Sequence, residues 1–338
     1  MTTQSHNHSP LVIRILQEFR NALLAREDAK LQRMAKQWLQ MEQALQVDMQ
    51  VLAQQLDYAK QRGLVVTEQL IAKQVEYQRL EAQLHDQVLK YVRDHVVTDI
   101  AGEQLAYAEH GIKGSIDAIK ANYVNMIPTF NQLPIDALSD YIGMLGDGTP
   151  LYRLLKEAYP DALDGIVKAL LNGMARGLGP QQIAVDMSHG MGLGLERIIT
   201  IARTEQLRVW RVATAKQYQE SKVVIRSRRL ATHDSRVCPA CLFSDGEIVP
   251  LGEVLHDHPR GRCTSVPEVV GAPVVTWQLG KDWFLHQGEN TQRDILGPKM
   301  FDLWKKTNFE LTSLVGVSKS KVWGDSPRVK TLEEMQNA

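Results

Sequence analysis

From Leu11 to Arg62 the chain contains neither proline nor glycine. Apolar side chains recur through this stretch at Leu31, Met34, Trp38, Met41, Leu45, Met49, Leu52 and Leu56. The steps are mostly three and four residues, the repeat of one face of an α-helix. Gln, Ala, Leu and Lys fill the remaining positions, and all of them tolerate helix. The spacing predicts one very long helix, whose narrow apolar face cannot be buried by the helix itself. Gly63 is a stop signal and Thr67 an N-cap for a second helix. That second helix carries Leu70, Tyr77, Leu80, Leu84, Val88 and Tyr91 at the same kind of spacing. Residues 11–95 are therefore expected to form a helical hairpin or coiled-coil arm. Either the chain covers this face itself or the arm binds a partner; both readings stay open here.

The length of 338 residues allows about two domains at roughly 100–200 residues each. With 44% hydrophobic and 23% charged residues, the chain can build an ordinary core, which excludes full disorder. Lys+Arg and Asp+Glu are both 39, so the net charge is zero. That balance argues against a bulk nucleic-acid coat or a polybasic membrane binder. No uninterrupted apolar run of about 18 residues exists, so no membrane span is expected. Residues 1–10 are polar, lack an apolar signal core and are expected to be disordered. The protein is expected to be made in the cytoplasm.

Five prolines (Pro128, Pro134, Pro150, Pro160 and Pro180) cut residues 96–200 into shorter helices, read as a helical domain. The run Ser188 to Gly194 is glycine-rich but lacks the Lys-Ser/Thr ending of a phosphate loop, so it is expected to be a flexible connector. Glu196 to Glu220 has helical spacing. Residues 203–229 carry 8 basic and 2 acidic side chains. Arg208, Arg211, Lys216, Arg226, Arg228 and Arg229 are candidate phosphate contacts, with a solvated basic face as the plain alternative. Val223 to Ile225 reads as a strand. Residues 271–338 read as a C-terminal extension and tail anchored by aromatic residues, with a helix from about Asn290 to Lys306.

All three cysteines fall within 26 residues, at Cys238, Cys241 and Cys263. An odd, clustered set argues against a disulfide scaffold. Cys238-Pro239-Ala240-Cys241 turns two sulfurs toward one point. Cys263 and a histidine can complete a tetrahedral Cys3His zinc site of the closed, structural kind. His258 is the preferred histidine and His256 the alternative. A bound metal would supply folding energy to a segment too polar to build much core. The expected fold class is mainly α, with a small α+β zinc-stapled module at residues 201–270. A reduced redox pair is the competing reading, but no thioredoxin-like βαβ surrounds the motif. Zinc deaminases need a His-x-Glu upstream, whereas this chain has His233-Asp234-Ser235. A metal-dependent His-Asn-His-like nuclease built on His256 and His258, or a free-standing DNA-binding protein, is the runner-up. Asp234 and Asp245 are read as structural turn carboxylates.

These motifs also resemble a known family. Ile201-Ala202-Arg203-Thr204-Glu205, the helix that follows, Thr232-x-Asp234-x-Arg236-x-Cys238-x-x-Cys241, the Asp245-Gly246 turn and the closing block from His258 to Cys263 resemble phage Mu gpF-like proteins. These are minor head, or head morphogenesis, proteins of tailed phages and prophages. The resemblance covers about residues 165–268. Two positions depart from the family pattern. Leu230 stands where a Trp is frequent, and Gly261 stands where the family has its penultimate Cys. The resemblance implies a non-enzymatic component of the virion head or procapsid interior, acting in capsid assembly and in DNA packaging or ejection. Its implied partners are the portal protein, the major capsid or scaffold protein, and genomic DNA. Arg203 and Glu205 are expected to form a buried ion pair or a clamp between helix and module.

Overall fold

The computed structural model describes residues 10–123, 127–320 and 323–337. Residues 1–9, most of the expected disordered N-terminus, lie outside the described residues. The chain is mainly helical. It begins with α1 (Leu11–Gln61), α2 (Glu68–Ala72), α3 (Val75–Tyr91), a π-helical turn and α4 (Val97–Ala121). Next come α5 (Leu151–Leu155), α6 (Ala158–Arg176), α7 (Pro180–Gly190) and α8 (Gly192–Ser221). Then follow β1 (Val224–Leu230), α9 (Pro239–Phe243), β2 (Ile248–Pro250) and β3 (Thr264–Val269). The C-terminal part holds α10 (Gly280–Leu285), α11 (Glu289–Leu296), α12 (Pro298–Thr307), β4 (Val315–Ser318), β5 (Ser326–Val329) and α13 (Leu332–Gln336). No helix among the described residues is long and apolar enough to cross a membrane.

Two compact units are each assembled from separate stretches. A cysteine-bearing unit comprises Met1–Ala25, Glu103–Gly148 and Thr204–Ala338, and a helical unit comprises Arg26–Gly102 and Thr149–Arg203.

In the helical unit all eight seam residues of α1, from Leu31 to Leu56, are buried. The helix stops at Gln61, and Gly63 adopts φ +85°, which only glycine takes without strain. Thr67 caps α2 by accepting the Leu70 N–H at 3.2 Å. α3 then packs on α1. The Tyr91 hydroxyl donates to the Met34 carbonyl at 2.9 Å, and its ring meets Trp38 edge-on at 5.7 Å. Lys60 donates to the Met174 carbonyl of α6. A Cβ at Gly194 of α8 would lie 2.9 Å from the Trp38 ring. The chain's own helices therefore cover this seam.

The run from Ser188 to Gly194 is not a flexible connector. It is helical on both sides of a one-residue break at Met191. Its glycines serve close packing: a Cβ on Gly165 of α6 would fall on the Gly190 carbonyl of α7, so the two backbones touch. Arg203 of α8 ion-pairs with Glu27 at 3.1 Å and Asp28 at 3.2 Å. It does not pair with Glu205, because residues two apart on a helix point in different directions.

In the cysteine-bearing unit β1 is the central strand of an antiparallel sheet ordered β2-β1-β3. The short strand expected at 223–225 continues to Leu230. Its arginines hid it from a reading that sought β-branched residues. Every residue of β3 is buried. Val12, Ile13 and Leu16 of α1 pack with Leu230, Val266 and Ala118. Leu242 and Phe243 of α9 form a core with Phe284, Phe301 and Trp304. The single helix expected from Asn290 to Lys306 is two helices. Gly297 takes φ +76° and Pro298 opens α12, so the chain turns there.

Candidate metal centre

Cys238 is the N-cap of α9, with Pro239 at the first helical position. This Pro start sets the first turn and places Cys241 one turn on, over Cys238. Cys263 lies just before β3. His258 lies in the loop between β2 and β3, beside a turn in which the Gly261 N–H donates to the His258 carbonyl at 2.8 Å. Ligand atoms of Cys238, Cys241 and His258 lie within 4.8 Å of one another, and so do those of Cys241, Asp257 and Cys263. No cysteine forms a disulfide.

The His258 ring bonds the Pro259 carbonyl through Nδ1 at 2.8 Å. With Nδ1–H held there, loss of the Nε2 proton would present that nitrogen to a metal, the arrangement that orients metal-bound imidazoles. His256 is exposed, and it takes part through its backbone: its carbonyl accepts Arg229 Nη2 at 2.6 Å. The Cys241 thiol holds the neighbouring Cys238 thiol down to about 4, against burial. Burial opposes a charge on His258, but Cys238 and Asp257 outweigh it and push the imidazole up to about 9. The neighbouring Cys238 and Cys263 thiols push Cys241 up. Between such close sulfurs one thiol ionises readily by accepting the other's S–H hydrogen bond while the donor resists, and a shared cation would favour both thiolates. The group of Cys238, Cys241, His258 and Cys263 can hold a metal ion.

Asp257, the residue between the two histidines, was missed by the sequence reading. It is buried and both its oxygens are engaged. Oδ1 accepts the His258 N–H at 2.9 Å and the Cys241 thiol at 3.2 Å. Oδ2 accepts the Cys263 N–H at 3.1 Å and Arg211 Nη2 at 2.9 Å. A carboxylate has about four lone-pair sites, and here all are used. Asp257 thus shapes the loop that presents His258 and Cys263. Any side chain on Gly261 would collide with this carboxylate. Gly261 leaves the room that Asp257 fills. Arg211 completes the clamp, donating also to the carbonyls of Cys263, at 3.1 Å, and Gly261.

Asp245 is a second buried hub. It accepts the Ala231 and Gly280 N–H groups at 2.8 and 2.9 Å, and Trp277 Nε1 at 3.1 Å. It also bonds His233 Nε2 at 3.0 Å. Asp234 makes a two-pronged bond to Arg262 at 2.6 and 2.8 Å. Glu205 is buried, bonded by Arg208 at 2.7 Å and by Trp323 Nε1 at 3.1 Å, and burial raises its pKa. It ties α8 to the C-terminal segment rather than to Arg203.

The basic residues singled out in the sequence do not form one stripe facing solvent. Arg211 and Arg229 are buried. Arg208 is bound to Glu205 and to the Met144 carbonyl. Arg226 and Arg228 share Glu268 at 2.6 and 2.7 Å, and Arg228 lies 4.5 Å over the Trp277 ring. Lys216 sits 5.3 Å over the Tyr141 ring. The high local charge answers internal acids, aromatic rings and carbonyls, so these side chains are largely engaged before any phosphate arrives.

Fold and site together define a mainly helical protein with a small α+β module built around a Cys/His cluster. Residues 164–265 match the family described as Phage Mu protein F like protein. That stretch contains all four candidate ligands, Asp257, Arg211 and Arg229. No curated protein and no solved structure matches the chain.

Proposed function

We propose that this is a minor head protein of a tailed phage or prophage. In this reading it acts at the portal vertex, inside the procapsid and virion head, in capsid assembly and DNA packaging or ejection. The observation that carries the reading is the Phage Mu protein F-like stretch at residues 164–265, which encloses the whole Cys/His cluster. The bound ion is zinc, held by Cys238, Cys241, His258 and Cys263. Four protein ligands close a tetrahedral site and leave no position for substrate, so the metal's role is structural rather than catalytic. Residues 201–270 act as the zinc-stapled module and residues 271–338 as its aromatic-anchored extension. The helices of residues 11–200 offer the surfaces for portal, capsid or scaffold protein.

The test is co-expression with the portal protein of the same phage or prophage, followed by mass measurement of the purified complex. The expected outcome is a stable complex of fixed stoichiometry. Folded, zinc-loaded protein that fails to associate would overturn the portal-vertex assignment.

A further inference from the structure

The buried seam of α1 has a counterpart on the opposite face of the same helix. Gln40, Ala44, Val47, Val51, Gln54 and Tyr58 follow one another in alternating steps of four and three. This is the spacing of a coiled-coil seam. All six are exposed: Val47 by 69%, Val51 by 40% and Tyr58 by 62% among them. Every exposed position of α1 from 39 to 58 is uncharged. A helix face left to water ordinarily carries the charges. Here the three charged residues of the stretch, Glu42, Asp48 and Asp57, all sit off the row, and Glu42 is buried.

The row is complementary to itself. When two copies of α1 lie antiparallel with the two-fold axis level with Met49, Val47 of each faces Val51 of the other. Ala44 then faces Gln54, and Gln40 faces Tyr58. No charge has to be stripped of water at this seam, so the cost that usually opposes such pairing is absent. The flanks supply the attraction. In this register Lys36, which is exposed, comes beside Asp57 of the second copy, and the symmetry makes that pair twice. Gln61 Nε2 donates to Asp57 Oδ2 at 2.9 Å, which leaves the other oxygen for the lysine. A parallel pair is disfavoured. Arg33, exposed and one heptad before Gln40 on the same row, would be set against Arg33 of the second copy.

We propose that α1 pairs antiparallel with α1 of a second copy of this chain, through the row from Gln40 to Tyr58. Charge complementarity at Lys36 and Asp57 selects this occupant, and the charge-free row admits it. With apolar layers only at its centre the contact is small, and small interfaces are weak and reversible.

The test is sedimentation velocity of the full-length protein over a concentration series, with reversible monomer–dimer exchange as the expected result. Val47→Glu together with Val51→Glu sets four carboxylates at the centre of the pair and should abolish the dimer. Circular dichroism and urea unfolding should stay at the wild-type values, because both side chains face water in the monomer. Lys36→Glu should weaken the dimer on the order of tenfold, the scale of two exposed ion pairs turned repulsive. Adding Asp57→Lys to the same chain should restore it. Gln54→Leu, opposite Ala44, should tighten it. A wild-type chain that stays monomeric in a series reaching about 1 mM, where even weak contacts are populated, overturns the proposal. A dimer that survives the two glutamates also overturns it, since that dimer uses another face. In a parallel pair Asp57 would instead meet Arg62 of the second copy, so rescue of Asp57→Lys by Arg62→Glu rather than by Lys36→Glu overturns the antiparallel arrangement. If the two glutamates leave self-association intact but abolish the portal complex, the row serves another protein and self-pairing is overturned.

Discussion

The two compact units are each stabilised by different physics. In the helical unit, long apolar faces meet at Trp38, Leu45, Met49 and Leu52, and glycines let α6 and α7 touch. Its stability is spread over many small dispersion and transfer terms, and the loss of any one is graded. The region around Cys263 is organised instead by a few buried polar hubs: Asp257 with Arg211, Asp245 with its four partners, and the Cys/His cluster. Each hub is strong when complete and costly when one member is missing. These hubs fix the loops, while apolar clusters around Leu230 and Phe284 hold the rest of the unit.

Metal removal should separate the units most sharply. Because metal bound to the folded state stabilises it by mass action, chelation should cost about 4 kcal/mol at a thousandfold excess of free metal over its dissociation constant. Hydrogen exchange resolved along the chain should show protection lost in β1, α9 and β3 and kept in α3 and α6. Equal loss in both units would break the contrast.

The converse cut is Trp38→Ala. Emptying this fully buried site should cost about 3–5 kcal/mol in urea unfolding while the capacity of the Cys/His cluster to bind added metal stays at the wild-type level. A drop in that capacity would mean that the cluster depends on the helical core, contrary to the comparison.

The smallest effect concerns the rim of the cysteine-bearing unit. Burial works against the Asp234 charge, but Arg262 outweighs it and holds the carboxyl below its usual value. A carboxylate whose folded pKa is depressed contributes stability above its unfolded value, near 4, and loses it as pH falls through the lower folded value. The Asp234 side chain is 41% exposed, so the contribution at neutral pH is under about 1 kcal/mol. Asp234→Asn should be slightly less stable than wild type at pH 7, and the difference should vanish on acidification toward pH 2. A difference that persists at low pH would point to a geometric role for the carboxylate.

Where the sequence reading worked, the information was local. Helical period marked the buried seam of α1, Thr67 capped as its type predicts, and Cys-x-x-Cys brought two sulfurs together. Where it stayed incomplete, an internal partner lay far along the chain. Arg211 looks like a phosphate contact until Asp257, 46 residues away, is seen to take it. Arg226 and Arg228 read as a basic patch because Glu268 on the neighbouring strand is invisible to spacing. Arg20 did carry a signal, a charge at a seam position between Leu16 and Leu23, and it is buried.

Chain-local chemistry determined that this protein is mainly helical, that α1 is long, and that a compact Cys/His cluster forms beside a turn-rich segment. Period, capping and short ligand spacing act within a few residues, so they are written into the order of side chains. Only the tertiary structure decided that the seam of α1 is covered by the chain's own helices, that His258 and not His256 faces the sulfurs, and that Arg211 is buried against Asp257 and the Cys263 carbonyl. Those outcomes depend on which distant groups share a low-dielectric interior, where an unpaired charge is costly and one available acceptor settles the arrangement.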